Sequence, residues 1–562
     1  MRIARTAVAA LPLLVVVFMS GSAWAGTPCA HKDFKTTLVK AACEKGGQAA
    51  AKDAMKAFAK DHKIKSCNQC HEKLAPGYEL KADAVERFAK LGGALIGVGG
   101  QPTPAKAPAP GDNAGKPIAQ LRPQVPASDD PKLAFEKYVL PNGLEVILAP
   151  DTSVPIVTVN VWYHVGSGHE VHGHSGFAHL FEHMMFQGSH HVGEDKHFDI
   201  LKKIGADGVN GTTNQDRTNY FETVPSNQLE TGLWLESDRM GYLLQPPNGK
   251  DGKPIDFKTS LDNQIEVVRN ERRQNYDNQP YGKARFANYA GLYPEGHPYR
   301  YLTIGRHEDL IAASVADVQG FFKTWYVPAN ATLAIVGDFD VPQAKQLIEK
   351  WFGKFPNSAK PKVVAVAAPS IKASTITVSD DFAKLRQIQF SWHSPANYGD
   401  GDAELDIVAN ALSRDGGRLY KALVYDRPLA QSVSAFQNGS TYSGIFSVTV
   451  TLRSEANLDE VKQIVAGELA RITREVLSAK EIGRVIAGNE AGAIRGFETT
   501  LGRAQALQGY NHYLGDPDKL TWDLDRYRKT TPVRIRDIAA KYLVPDRMVT
   551  VITNPNASGA KQ

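Results

Sequence analysis

The chain has 562 residues and a mass of 61.3 kDa, with 65 basic and 60 acidic side chains and a formal charge of +5. At roughly 100–200 residues per domain, this length implies about three or four domains. A content of 42% hydrophobic and 22% charged residues excludes a globally disordered chain and a polytopic membrane protein, and so small a charge excess gives no reason to expect nucleic acid.

Arg2 and Arg5 precede an apolar run from Ala7 to about Met19, and Ala23-Trp24-Ala25 has the small-x-small form of a signal-peptidase site. Residues 1–25 therefore read as a signal peptide cut before Gly26, since the run falls short of the roughly 20 apolar residues a span needs. No later stretch is long and apolar enough to cross a bilayer. The mature chain is expected to be exported, periplasmic or secreted, in an oxidising compartment.

Residues 26–95 read as a small all-α module that holds all four cysteines, Cys29, Cys43, Cys67 and Cys70. Between Thr27 and Gly92 there are 13 Lys/Arg against 8 Asp/Glu, an excess as large as that of the whole chain. Ala/Lys-rich stretches from Gln48 and from Ala82 to Leu91 suggest short helices. Cys67-Asn68-Gln69-Cys70-His71 is a CxxCH string, the attachment signature of c-type haem. Two thiols at that spacing add to the haem vinyl groups, and the following imidazole becomes an axial ligand. The string resembles the haem site of small c-type cytochromes, so a covalent haem on Cys67, Cys70 and His71 is expected. The sixth ligand is left among Met55, His62 and His31, and Cys29 would pair with Cys43. A redox-active CxxC pair or two structural disulfides are the alternatives. Residues 96–133 follow as a linker, with eight prolines from Pro102 to Pro131, that can neither form a helix nor bury a core.

Beyond the linker the texture becomes globular. Tyr138 to Leu148 reads as a strand, a Pro-Asn-Gly turn and a second strand, and Val154 to Val165 as another β-rich run. A helix then carries His179, Glu182 and His183. Positions four apart share a helix face, so both imidazoles can reach one metal ion, with Glu182 beside it to act as a base toward water. HxxEH is the inverse of the commoner HExxH zinc motif. The histidines at 164, 169, 172, 174, 190 and 191 crowd the same region and read mostly as solvated loop residues, with His172 or His174 as a spare ligand.

The flanks of this motif resemble the insulinase/pitrilysin family of zinc metallopeptidases. The resemblance rests on Leu140-Pro-Asn-Gly-Leu144, Gly166-Ser167 with Glu170, Gly176 with Ala178, and His179 through Phe186 followed by Gly188. It continues through Asn210, Thr213, Asp216, Thr218 and Tyr220, and through the block from Val267 to Gly282. It implies that Glu271 completes a His179/His183/Glu271 zinc site and that Glu182 is the catalytic base. Glu271 lies 88 residues beyond His183, a longer gap than is usual in the family, and an insertion at Pro246–Pro254 accounts for the difference. Glu266 is the competing ligand. Gln264 stands where the family often has a supporting glutamate. The resemblance also implies that an extended, unfolded peptide adds to the edge strand at Asn210 and Gly211, Gly211 being a mild departure from the usual alanine.

Tyr326-Val-Pro and Leu543-Val-Pro each follow a helical stretch and precede a β-run, which points to an internal duplication. The expected fold is α+β: a catalytic domain over 134–355 and a second, zinc-free domain over 365–556, together half of a peptidase clamshell. Active members of the family carry an arginine and a tyrosine on the second half. Val424 and Gln431 occupy those positions here, with Tyr425 and Arg427 off register. A dimer with a sibling chain supplying the pair is therefore expected. The expected activity is that of an exported Zn2+-dependent endopeptidase. The alternatives are a non-catalytic subunit of the same fold and a haem-bearing redox or binding protein.

Overall fold

The computed structural model describes residues 36–61, 81, 84–85, 88, 130, 132–249, 252–364, 366 and 369–556. The expected signal peptide, the CxxCH string Cys67–His71, Cys29, His31, His62 and almost all of the expected linker lie outside the described residues. The chain divides into two compact units, residues 1–109 and 110–562. In the first unit, α1 (Thr37–Asp61) is a 25-residue helix rich in Ala and Lys. Phe58 packs on Phe88 with ring centroids 4.4 Å apart, and Ala51, Ala84 and Phe88 are buried. Cys43 is disulfide-bonded.

The second unit is α+β and contains two sheets. The Pro-Asn-Gly turn joins β1 (Glu136–Val139) to β2 (Glu145–Pro150), and the next β-rich run forms β3 (Ile156–Tyr163). With β4 (Asp207–Thr213), β5 (Thr218–Pro225) and β6 (Ala331–Gly337) they make a sheet of order β1-β2-β6-β3-β5-β4. Only β2 and β6 run parallel; the other neighbours are antiparallel. The second sheet contains β7 (Ser374–Asp380), β8 (Gln387–Ser394), β9 (Ala430–Asn438), β10 (Gly444–Leu452) and β11 (Val549–Pro555), in the order β7-β11-β8-β10-β9. Both Val-Pro segments turn through a short 3-10 helix, Pro328–Asn330 or Pro545–Arg547, directly into β6 or β11.

A mixed sheet buried on both faces needs helices on each side. On one face of the first sheet, Val157, Val159, Val161 and Tyr163 join a core that includes Phe177, Leu180 and Phe181 of α2 (Phe177–Met184). The opposite face is covered by α7 (Thr500–Leu514), a helix from late in the chain. Its Gln508 side chain donates to the backbone carbonyls of Asn160 and Thr332, and Thr500 meets Thr158 hydroxyl to hydroxyl at 2.7 Å. In exchange, α5 (Gly282–Leu292), early in the chain, packs beneath β7 and β11, where Ala284 and Leu292 meet Val549 and Val551. The two sheets thus trade helices. No helix among the described residues is long and apolar enough to cross a membrane.

Candidate metal centre and active site

Three side chains from two helices converge beside β4. In α2, Phe177, Ala178, Leu180, Phe181 and Met184 are buried, which leaves the His179/Glu182/His183 side to face outward from the core. Glu271 arrives on α4 (Phe257–Arg272), which packs against α2. Its Oε2 lies 3.6 Å from His179 Nε2 and 3.2 Å from His183 Nε2, and the imidazole rings stand edge to face at 4.8 Å. Glu266, the competing ligand, faces out on the same helix and pairs with Arg269. Two Nε2 atoms and one carboxylate oxygen within 4.8 Å of one another form a donor set that fits Zn2+ and leaves a coordination position open. The only other such group among the described residues, His197/Glu222/Glu236, is buried around Arg239 of α3 (Leu229–Tyr242), whose positive charge already faces both carboxylates.

Burial sets the protonation of the centre. Loss of hydration, reinforced by the neighbouring His183, pushes the His179 imidazole down to about 4, so it is the neutral ligand form at neutral pH. Glu271 is held below its ordinary value by its hydrogen bond to His183. Glu182 moves the opposite way, because burial raises it while the Thr213 hydroxyl, donating to Oε2 at 2.6 Å, partly offsets the shift. A carboxylate raised above its ordinary value beside a metal donor set is suited to taking up a proton and giving it away again.

β4 is the outer strand of the first sheet and, among the described residues, pairs only with β5. Asn210 is exposed on it, with its Oδ1 accepting from the Gly211 amide, while Gly211 is buried. Residues two apart in a strand share a face, so Gly211 and Thr213 both look toward Glu182. A Cβ on Gly211 would come within 2.9 Å of Glu182 Cγ and 3.2 Å of Phe186 and Tyr220. The glycine that reads as a mild departure in sequence is therefore what makes room for the base. Thr213 as its partner was equally open to the alternation argument, but the sequence reading gave it no role.

The hairpin turn after Thr213 is tied to the second half of the unit. Asp216 is buried and accepts from the hydroxyls of Tyr299 and Tyr513 and, at 3.0 Å, from the Thr441 amide. The expectation of solvated histidines fails at two positions. His164 is half-buried against His512 of α7, under the helix exchange, and His169 is half-buried with its ring against Trp325. His172, His190 and His191 are exposed, and His174 is half-buried beside Asp317. Neither His172 nor His174 belongs to the metal group. Gln264 is buried where a supporting glutamate was sought. In the second half, Val424 packs against the core and Gln431 is exposed at the start of β9. Tyr425 is exposed and Arg427 pairs with Glu460.

Residues 145–238 match the family described as insulinase (peptidase family M16), and residues 312–489 match the peptidase M16 inactive domain. The zinc protease PqqE of Helicobacter pylori is 26% identical over 438 residues, covering 75% of this chain and 93% of its own length. The mitochondrial-processing peptidase subunit beta of Blastocladiella emersonii is 24% identical, covering 59% of this chain and 70% of its own. Among solved structures, a protease from Helicobacter pylori superposes with a TM-score of 0.67 at 23% identity, over 75% of this chain and all of its own. The periplasmic protease PqqL of Escherichia coli superposes at 0.62 and 18% identity, over 77% of this chain and 49% of its own.

Proposed function

We propose that this homologue of the insulinase-like M16 zinc proteases is an exported Zn2+-dependent endopeptidase acting on extended, unfolded peptides. The observation that carries the reading is the convergence of His179, His183 and Glu271, with Glu182 held alongside by Thr213. When bound there, Zn2+ would polarise the scissile carbonyl and lower the pKa of water to about 7. The chain's own residues do the rest. A substrate strand lies along the free edge of β4 near Asn210 and Gly211, held by backbone hydrogen bonds, which favours unfolded peptides and sets little side-chain preference. Glu182 takes the proton from the attacking water and passes it to the leaving amine, and its raised pKa lets it hold that proton between the two steps.

The absent arginine–tyrosine pair, with Val424 and Gln431 in its place, supports a dimer in which a sibling chain supplies those groups. The same absence, with a second half that matches the inactive domain, favours a second reading, a partner-dependent or non-catalytic subunit. The CxxCH string supports a covalent haem on Cys67, Cys70 and His71, which would make the N-terminal module a redox or docking appendage. Metal analysis together with a quenched-peptide assay, with and without chelator, tests the whole reading. One Zn2+ per chain and chelator-sensitive cleavage are expected. Zinc without cleavage would favour the subunit reading, and full-rate cleavage by the isolated chain would remove the need for a sibling. A Soret band after expression with a cytochrome c maturation system is the outcome expected for haem.

A further inference from the structure

The metal helix is too short to define its own position. With eight residues it spans only about 12 Å, well below the length at which a helix is stable alone, and the amides of its first turn have no partners inside it. Its N-cap, Gly176, sits at φ 95° and has no side chain with which to cap. The acceptors come instead from Glu170, six residues upstream. Glu170 Oε2 accepts from the Gly176 amide at 3.0 Å and Oε1 from the Ala178 amide at 2.8 Å, one peptide before His179. Burial pushes the Glu170 carboxyl up to about 8, partly offset by these two amide bonds, and its oxygens can accept both N–H groups in either protonation state.

Glu170 is itself anchored. It follows a 3-10 turn, Ser167–His169, whose Ser167 and Gly168 amides donate to the carbonyls of Asn214 at 3.0 Å and Gln215 at 2.7 Å. The approach is so close that a Cβ on Gly166 would fall 2.2 Å from the Asn214 carbonyl. Asn214 and Gln215 form the turn that closes β4, and Thr213 immediately before them holds Glu182. The contacts form a closed loop: helix start, Glu170, 3-10 turn, hairpin turn, Thr213, Glu182, and back to the helix.

We propose that Glu170 is a positioning residue of the metal centre, fixing the start of α2 against the β4–β5 turn so that His179 and His183 meet Glu271 while Glu182 meets Thr213. The proposal rests on the metallopeptidase reading above. Partners one layer beyond metal ligands typically contribute 10- to 100-fold in affinity or activity.

The test compares full-length wild type with Glu170→Gln, Glu170→Asp and, as a control for destabilisation alone, Glu404→Gln. Glu404 is buried in the second half, where it accepts from Thr530 and Arg534. The readouts are Zn2+ affinity by chelator competition, kcat and KM at saturating Zn2+, and the Tm of the metal-free protein. Glu170→Gln keeps the size but turns an amide donor toward a backbone donor. It should weaken Zn2+ 10- to 100-fold and lower kcat with KM within about two-fold. Glu170→Asp, which keeps the carboxyl group but is one methylene shorter, should fall between Glu170→Gln and wild type and serves if the glutamine variant does not fold. Glu404→Gln should lower Tm without moving Zn2+ affinity or kcat. Glu170 variants that lower Tm as Glu404→Gln does, with Zn2+ affinity and kcat within two-fold of wild type, would overturn the proposal. A wild-type chain that binds no Zn2+ would overturn the metal reading itself, and the proposal with it.

Discussion

The two halves of the second unit share five strands of one skeleton and differ in what their inner helices carry. In the first sheet, β2-β6-β3-β5-β4 follows the same sequence of parallel and antiparallel pairings as β7-β11-β8-β10-β9 in the second. Each half starts its inner helix from a left-handed glycine, Gly176 at φ 95° and Gly401 at φ 97°. Counted from those glycines, His179, Glu182 and His183 correspond to Glu404, Ile407 and Val408 of α6 (Asp402–Ser413). Ile407 and Val408 are fully buried in the second core, and Glu404 is bound by Thr530 and Arg534. The chemistry therefore does not reside in the fold. It depends on a helix kept short and capped from outside, with one polar stripe turned toward Glu271.

The largest effect should come from separating base from ligands. Glu182→Gln removes the proton acceptor without touching the donor set, so turnover should fall by roughly 10²–10⁴-fold while Zn2+ stays near one per chain. Glu271→Ala should instead release the metal. Retained cleavage in Glu182→Gln would remove the assigned base and with it the functional contrast between the halves.

A smaller effect should come from Gly211→Ala, which tests whether the glycine is permissive or required. The added Cβ would press on Glu182 Cγ rather than on a mobile side-chain tip, and Phe186 and Tyr220 close the other directions. Overpacking of this kind typically costs about 1–3 kcal/mol, and displacement of the base should appear as a roughly 10-fold or greater loss of kcat with little change in Zn2+ content. Unchanged turnover would mean that the strand yields instead.

Local pattern made part of each sheet and the metal helix legible. The Pro-Asn-Gly turn marks β1 and β2, a β-rich run marks β3, the Val-Pro turns mark β6 and β11, and the i, i+4 histidines need only a helix to meet. Glu271 was legible only through the resemblance, since the intervening 88 residues carry no geometric information, and its contact with both imidazoles depends on how α4 packs on α2. The exchange of α5 and α7 between sheets left no local trace at all, because amphipathic helices do not record which sheet they cover. The position of His164 against α7 follows directly from that missing packing. The reach of Glu170 across six residues to a side-chain-less N-cap was hidden for a related reason: the glutamate precedes the helix by more than any ordinary capping box.

The smallest of the expected effects probes the helix exchange that joins the halves. His164, at the end of β3, stacks on His512 of α7 with ring centroids 4.9 Å apart and Nδ1 atoms 2.7 Å apart, and its Nε2 meets the Thr332 hydroxyl at 2.9 Å. An Nδ1–Nδ1 contact has room for one proton, and the surrounding charges of Lys360, Lys137 and Arg217 oppose a second. Burial pushes His164 down to about 3 and holds His512 well below its ordinary value of 6.5. Below about pH 6.5 the unfolded chain therefore takes up protons that the folded chain refuses. Stability should fall as pH drops through that window, by up to about 1.4 kcal/mol per pH unit for each imidazole. His512→Asn retains a hydrogen-bonding partner for His164 but does not titrate, so it should flatten part of this dependence in denaturant titrations between pH 7 and pH 5. A variant whose slope equals that of wild type would show that the seam between the halves does not sense protons through this pair, and that acid acts elsewhere in the fold.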